Sequence, residues 1–369
     1  MTTFDRKELT SELALLVAIA GQKNVIPALS TVRLEIRGGD ETASLLAYNS
    51  NIALFTDISA EGEDWNGCIP ARQLYDLMRL ASNVEKVTLM PQGSTVQITW
   101  GRSRHRLPVT NFSVFPEVSG PVAENERLTV RTEDFTTALE RVLPCAARED
   151  SNTWMVQGIK LEAKDGELKL IGTNTHRLGV ITIPAEGNLD VFVPLEAAQL
   201  LPKFKSEEVS IWHDGKQVSF SFGRRTLISR LMTGTFPNWQ AFMPKYLPLS
   251  ATLSTTEMIN ALRRADVTRD ETFKPGVGRI LLGVVLIFGK DELVIDTKHS
   301  THGRSEESIP VSSNLNGDLI YMGINPDYVM DFLRTAGATT ECNLKDGKSV
   351  LRLTDGSKFE YVVVPQVLK

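Results

Sequence analysis

The stretch from Thr173 to Val180, TNTHRLGV, sets His176 and Arg177 between two hydroxyl side chains and an apolar end. An imidazole can exchange a proton near neutral pH and a guanidinium beside it can hold an anion, so the pair is a candidate acid-base and anion-binding unit. Catalysis by His176 would also need a nucleophile or acid sharing its geometry, with a reacting group held nearby. No G-x-S-x-G, G-x-x-x-x-G-K-[ST] or G-x-G-x-x-G occurs in the chain, so nothing points to such a partner or to a nucleotide cradle. His299-x-x-His302 lacks a Cys or carboxylate partner set, and the acidic pairs Glu149-Asp150 and Glu306-Glu307 lack metal-site companions. We therefore expect no catalytic residue, no metal site and no cofactor. Cys68, Cys145 and Cys342 are far apart and read as small buried hydrophobes, not as a disulfide framework.

The elements that must position these residues belong to a chain too long for one core. With 369 residues, 42% hydrophobic and 23% charged, it has the balance of a globular protein of two or three domains. No apolar run reaches the roughly 18 to 20 residues that cross a bilayer, and charges interrupt the opening MTTFDRKELTSELALL, so a cytoplasmic protein without a membrane partner is expected. The net charge of −5 argues against a nucleic-acid partner, unless positive charge is segregated onto one surface.

A faint pattern recurs after roughly 120 residues. FDRKELTSELALL from Phe4, VRTEDFTTALERV from Val130 and LSTTEMINALRRA from Leu253 each read as a helix. In the second, Phe135, Leu139 and Val142 share one face, with Thr132 as N-cap. Alternating strands with Asp-Gly turns follow each, then a second helix (ARQLYDLMRLAS, LEAAQLLPKF, PDYVMDFLRTAG), then more strands. Phe115-Pro116 and Phe236-Pro237 recur at equivalent places, as do Asn49 and Asn174. Gly- and Pro-rich stretches separate three units, 1–121, 127–246 and 247–369. The expected class is α+β, with two helices packed on antiparallel sheets in each unit.

GRSRHRLPVTNFSVFP (Gly101 to Pro116), TNTHRL (Thr173 to Leu178), GTFPNWQAFMP (Gly234 to Pro244) and YVVVPQVL (Tyr361 to Leu368), in this order, resemble the bacterial DNA sliding clamp family, the beta subunit of DNA polymerase III. The resemblance covers essentially the whole chain. It implies three similar clamp domains per subunit and a head-to-tail homodimer closed as a ring around duplex DNA, with helices lining the hole. It implies a non-enzymatic processivity factor whose partners are the DNA polymerase III alpha subunit, the clamp loader and other clamp-motif proteins.

Carried over residue by residue, the resemblance turns TNTHRL into one wall of a hydrophobic cleft for a short peptide, usually with a Gln and then Leu and Phe. Its walls would be Val156, Thr173, Thr175, His176, Arg177, Leu178, Pro237, Phe242, Val362, Val364, Pro365, Gln366 and Leu368, with the polar atoms of His176 and Arg177 orienting the peptide. DNA-facing candidates are Lys23, Arg72, Arg79, Arg148, Trp154 and Lys203. Arg141, Lys205, Arg263, Arg264, Arg269 and Arg334 also lie on or near the helices. Ordinary solvated helix faces are the alternative for these charges, and packing for Trp154. The dimer interface would use Arg102 and Arg104 on an edge strand, Val267, and Glu306 and Glu307 of the partner's third domain; edge protection is the alternative for the arginines. The sequence departs from the family at Thr175, where Gly is usual, at Ala241, Phe242 and Gln366, and in the extra Lys369. Two other readings stay open: a specialised clamp paralogue for a repair polymerase or mobile element, and a metal-dependent DNA-processing enzyme.

Overall fold

The computed structural model describes residues 1–20, 26–120, 127–148, 153–269, 271–274, 278–281, 283–299 and 303–366. The sequence repeat is a structural one. In its first copy the strand Thr2–Asp5 leads into helix α1 (Arg6–Ala20). The strands Thr31–Arg37, Thr42–Tyr48, Ile52–Ser59 and Trp65–Pro70 follow, then α2 (Ala71–Leu80) and the strands Lys86–Gln92, Thr95–Trp100 and Ser103–Pro108. The second copy carries α3 (Thr132–Val142) and α4 (Leu195–Ala198), and the third α5 (Thr255–Ala265) and α6 (Pro326–Leu333), among equivalent strands.

Local chemistry accounts for most of these elements. Asp5 Oδ1 accepts from Glu8 N at 2.7 Å and Asn325 Oδ1 from Asp327 N at 3.0 Å, capping α1 and α6 where their first amides lack helical partners. Thr132 is the first residue of α3 and not its cap; its hydroxyl meets that of Ser206 at 2.8 Å. The second helix of the middle copy is shorter than its apolar pattern suggests, with one α-turn followed by the 3-10 turn Leu201–Lys203. Pro202 has no N–H to donate to the preceding turn, so the α ladder cannot continue there. Asp165 and Gly166 both have positive φ, 55° and 82°, as a type I′ hairpin turn requires.

The described chain forms two compact units, Met1–Thr136 with Lys164–Gly166 and Ala185–Met232, and Thr137–Ala163 with Glu167–Pro184 and Thr233–Lys369. The middle repeat is shared between them, because strand pairing joins successive repeats. In the first unit Arg225–Arg230 pairs antiparallel with Ile52–Ser59, Arg225 opposite Thr56. In the second, Phe359–Val363 pairs antiparallel with Arg177–Pro184, Phe359 opposite Ile181. Arg225 and Phe359 are equivalent positions in the repeat, as are Thr56 and Ile181, so both junctions use one register. A slip of one residue would turn every core side chain of a strand to solvent, which makes such a register strongly specified.

Charge locks the first junction. Glu12 lies on the apolar face of α1 with Leu9, Leu13 and Leu16, fully buried. Its carboxylate accepts from Arg225 Nε at 2.8 Å, Arg224 Nη2 at 2.9 Å and Thr56 Oγ1 at 3.0 Å. Burial alone would raise its pKa, but the hydrogen bonds from Arg225 and Arg224 outweigh that and hold it below the ordinary 4.5. The carboxyl therefore stays ionised in the folded chain at pH values where the unfolded chain has protonated it. Its stabilisation is complete above about 4.5 and is lost as pH falls through the depressed folded value. Glu12→Ala, which leaves two arginines facing an empty site, is expected to cost about 3 to 5 kcal/mol. Urea unfolding of both proteins at pH 7 and pH 4 measures this, with the difference shrinking at the lower pH.

Candidate functional site

TNTHRL folds as a tight polar turn closing the hairpin of Glu167–Thr173 and Arg177–Pro184. Asn174 Oδ1 accepts from the backbone amides of His176 and Arg177, both at 3.1 Å. Thr173 Oγ1 donates to Arg177 O at 2.7 Å and accepts from Thr175 N at 3.1 Å. These bonds carry Thr175 to φ 74°, the left-handed region, which costs a β-branched residue roughly 1 to 2 kcal/mol. The turn at Asn49 is built alike: Asn49 Oδ1 accepts from the amides of Asn51 and Ile52 at 3.1 and 2.8 Å, and Ser50 has φ 79°. The backbone thus explains why Gly is suited to the position of Thr175: it lacks the Cβ that this φ strains.

Arg177 does not present a free guanidinium. It is buried, bonded through Nη1 to Asp331 at 2.6 Å and to the Tyr361 hydroxyl at 3.2 Å, bonded through Nη2 to Pro144 O, and stacked 4.4 Å from the Tyr328 ring centroid. Burial works against its charge, but Tyr361 and Cys145 beside it and the bonds to Asp331 and Tyr361 outweigh this and raise its pKa. Its role is to tie the hairpin to α6 and to the strand Phe359–Val363, while its stem forms cleft wall. His176 is exposed and absent from the wall; its carbonyl accepts from Val364 N at 2.9 Å. The Arg177 guanidinium is thus committed within the chain, and the His176 side chain does not line the cavity. Cys145, beneath the turn, is a buried free thiol whose pKa burial pushes up to about 12.

Val156, Thr173, Thr175, Arg177, Leu178, Pro237, Phe242, Val362 and Val364 line one cavity of about 170 Å³. Trp239, inside the GTFPNWQAFMP stretch but not assigned to the wall, and Val350, in none of the four stretches, complete it. Val350 precedes the strand Leu351–Thr354 and shares the face of Arg352, opposite the buried Leu351 and Leu353. Pro365 and Gln366 are not on the wall. Gln366 N instead donates to Gly323 O at 2.8 Å, pinning the tail that carries Val364. Leu368 lies outside the described residues. Phe242 and Val364 are 64% and 42% exposed, so the cleft opens onto two apolar side chains that water surrounds.

The repeat supplies an internal comparison. At the equivalent place in the first unit, Tyr48, Ser50, Ala53, Val118, Gln217, Ile228 and Arg230 line a cavity of about 160 Å³. Arg230 stands where the cleft has Val364, Gln217 where it has Val350, and Ser50 where it has Thr175. The fold therefore makes the notch at both junctions, and the side chains make only one of them apolar.

The other assigned residues are spread over both units. Arg72 and Arg79 share Asp76 at 3.0 and 3.7 Å, while Arg148 and Lys203 are exposed and Lys23 lies outside the described residues. Trp154 is half exposed, its ring edge packed over Gly234. Several helix cations are already held by carboxylates: Arg141 by Asp355 at 2.6 Å, Arg264 by Glu307 at 2.6 Å, Arg269 by Asp327 at 3.2 Å and Arg334 by Asp331 at 2.8 Å. Asp331 lies one turn from Arg334, whereas Asp355, Glu307 and Asp327 are brought within reach by packing that linear sequence does not reveal. Arg102 and Arg104 are exposed on Ser103–Pro108 and the turn before it, the last strand of its five-stranded sheet. Val267 is 79% exposed. Glu306 and Glu307 face opposite sides of Gly303–Ser313, as neighbours on a strand must; Glu307 turns to Arg264 and Glu306 to Arg304 at 3.1 Å.

Residues 2–119 match the family model of the DNA polymerase III beta subunit, N-terminal domain, and residues 129–238 that of its central domain. The chain belongs to the DNA polymerase III beta sliding clamp family. Among curated relatives, the Beta sliding clamps of Pseudomonas aeruginosa and Pseudomonas putida are 24% and 26% identical over 99% of both chains. In fold, the P. aeruginosa subunit beta superposes with a TM-score of 0.88 at 22% identity and the Thermotoga maritima one with 0.89 at 18%, each over 100% of both chains. The clamp family is not one of enzymes, which agrees with the absence of catalytic motifs. Three antiparallel-sheet domains with their helices are the clamp architecture, and no helix among the described residues is long and apolar enough to cross a membrane.

Replacing Thr175 by Gly removes the strained Cβ while loosening the unfolded chain, and should raise stability by up to about 1 kcal/mol. Thermal unfolding reads this directly; a Gly variant less stable than the parent would show that the added freedom of the unfolded chain outweighs the relieved strain.

Proposed function

We propose that this chain is a DNA polymerase processivity factor, a cytoplasmic sliding clamp that encircles duplex DNA and tethers its partners through the cleft beside Thr175 and Val364. The observation that carries this reading is the cleft: an open apolar notch, framed by a strand junction and a pinned tail, in a chain related to beta sliding clamps over its whole length. Partners of the polymerase III alpha, clamp-loader and repair type would insert a short peptide bearing Leu and Phe. Burial at about 25 cal/mol per Å² favours such side chains, and a notch this small suits micromolar binding. Since Arg177 is committed internally, apolar contact and backbone hydrogen bonds supply that affinity. Phe242→Ala or Val364→Asp should each weaken binding of a Gln-Leu-Phe-type peptide at least tenfold, about 1.4 kcal/mol, in calorimetric titration. Unchanged affinity in both variants would remove the cleft assignment.

The ring follows from the repeat. Among the edges that the three domains, near 1–121, 127–246 and 247–369, leave open are that of Ser103–Pro108 and that of residues 303–310 opposite their pairing with Glu292–His299. Applying the register of the two internal junctions to these edges sets Ser103 of one subunit opposite Glu307 of another, and Arg104 opposite Glu306. A heterologous contact of this kind closes into a ring when its rotation permits. The closed dimer holds DNA by topology, so helix cations need only weak phosphate contacts. Arg104→Glu and Glu306→Arg should each raise the dimer dissociation constant, and the double exchange should restore it, by analytical ultracentrifugation. Retention on nicked circular DNA at high salt, with release once the DNA is linearised, tests the topological hold itself. Diffusion off the circle at the same rate as off the linear form would overturn it.

A further inference from the structure

The apolar cleft does not end at Trp239. That ring also lines a second, open groove of about 570 Å³, on the same face of the same sheet. Along Arg177–Pro184 the face runs from Leu178 in the cleft to Val180 and Thr182 in the groove, and along Phe359–Val363 from Val362 to Glu360. The alternation of strand side chains makes these one continuous surface. Trp239 sits across it as a divider, its Nε1 donating to both oxygens of Glu162 at 3.2 Å.

The groove is charged where the cleft is apolar. Lys358 pairs with Glu167 at 3.0 Å and Arg352 with Glu360 at 2.8 Å, which leaves the half-buried Lys169 as a cation with no ion pair among the described residues. At the matching positions of the first unit, Ser44 replaces Lys169 and Ser219 replaces Arg352. The fold therefore does not require the charges of Lys169 and Arg352, whereas Lys358 has a cationic counterpart in Arg224.

We infer that this groove receives the flank of the peptide bound in the cleft, and that it selects acidic flanking residues through Lys169. The inference rests on the cleft reading above and extends it to specificity. From Leu178 to Thr182 the face spans about 13 Å, the reach of about four extended residues. A flank of that length carrying carboxylates meets Lys169 beside the internally paired Arg352 and Lys358, and the pairing weakens with salt.

The test uses the full-length protein and blocked synthetic peptides with one common Gln-Leu-Phe core, carrying four Asp or four Ser residues at either end. At 50 mM salt, the Asp flank at one end should bind three- to tenfold tighter than the Ser flank. That advantage should disappear at 0.5 M salt and in Lys169→Glu, while the Ser-flanked peptide binds parent and variant alike, which also shows the variant folded. Equal affinity for Asp and Ser flanks at both ends overturns the groove and leaves the cleft standing. An Asp preference that survives Lys169→Glu overturns the role of Lys169, and failure of every core-bearing peptide to bind overturns both readings.

Discussion

The structure depends on one constraint, the antiparallel pairing of a strand from one repeat with a strand from the next, in a register used twice. At Arg225 opposite Thr56 and at Phe359 opposite Ile181, the pairing buries apolar side chains and satisfies backbone groups that an open edge would expose. It also explains why compactness divides the middle repeat. The compact units follow the sheets and not the sequence periods.

The same junction makes the cleft on which the proposed function rests. Where two repeats meet, a polar turn ending in a left-handed residue stands beside the last strand of the neighbouring repeat, leaving a notch of similar size in both places. What distinguishes the cleft is its lining: Val350, Val362, Val364, Leu178 and Trp239, where the other notch has Gln217, Ile228, Arg230, Ala53 and Val118. Ion pairs brace these junctions from behind. Glu12 with Arg224 and Arg225 does so at the first, and Arg177 with Asp331 and Arg141 with Asp355 at the second. Buried pairs of this kind add less net stability than their attraction suggests, because both ions lose water. Removing one partner is nevertheless costly, which fixes the geometry around the cleft.

Much of the fold was legible. The three helix starts, the Asp165-Gly166 turn and the repeat of Asn49 at Asn174 are local signals, set by capping, by φ and by side-chain to backbone bonds that need only neighbours in sequence. The cleft was legible through short motifs, and nine of its assigned residues share one cavity. Less legible was what each side chain does there. Arg177 reads as a clamp for a ligand and is spent on Asp331, Tyr361 and Pro144; His176 reads as its partner and faces outward. Trp239 and Val350 belong to no polar motif, and their place becomes visible only when the strands are laid side by side.

By itself, then, the sequence determined the α+β class, the threefold repetition, the tight turn at TNTHRL and its unusual Thr175, because each arises from interactions within a few residues or from periodic burial. Only the tertiary structure decided which charges are free. Arg141, Arg264, Arg269 and Arg334 look alike on helical patterns, yet each meets a carboxylate 43 to 214 residues away or one turn along its own helix. Lys169 meets none among the described residues. Long-range pairing of charge depends on which strand ends a helix closes upon, and that is settled by the packing of sheets.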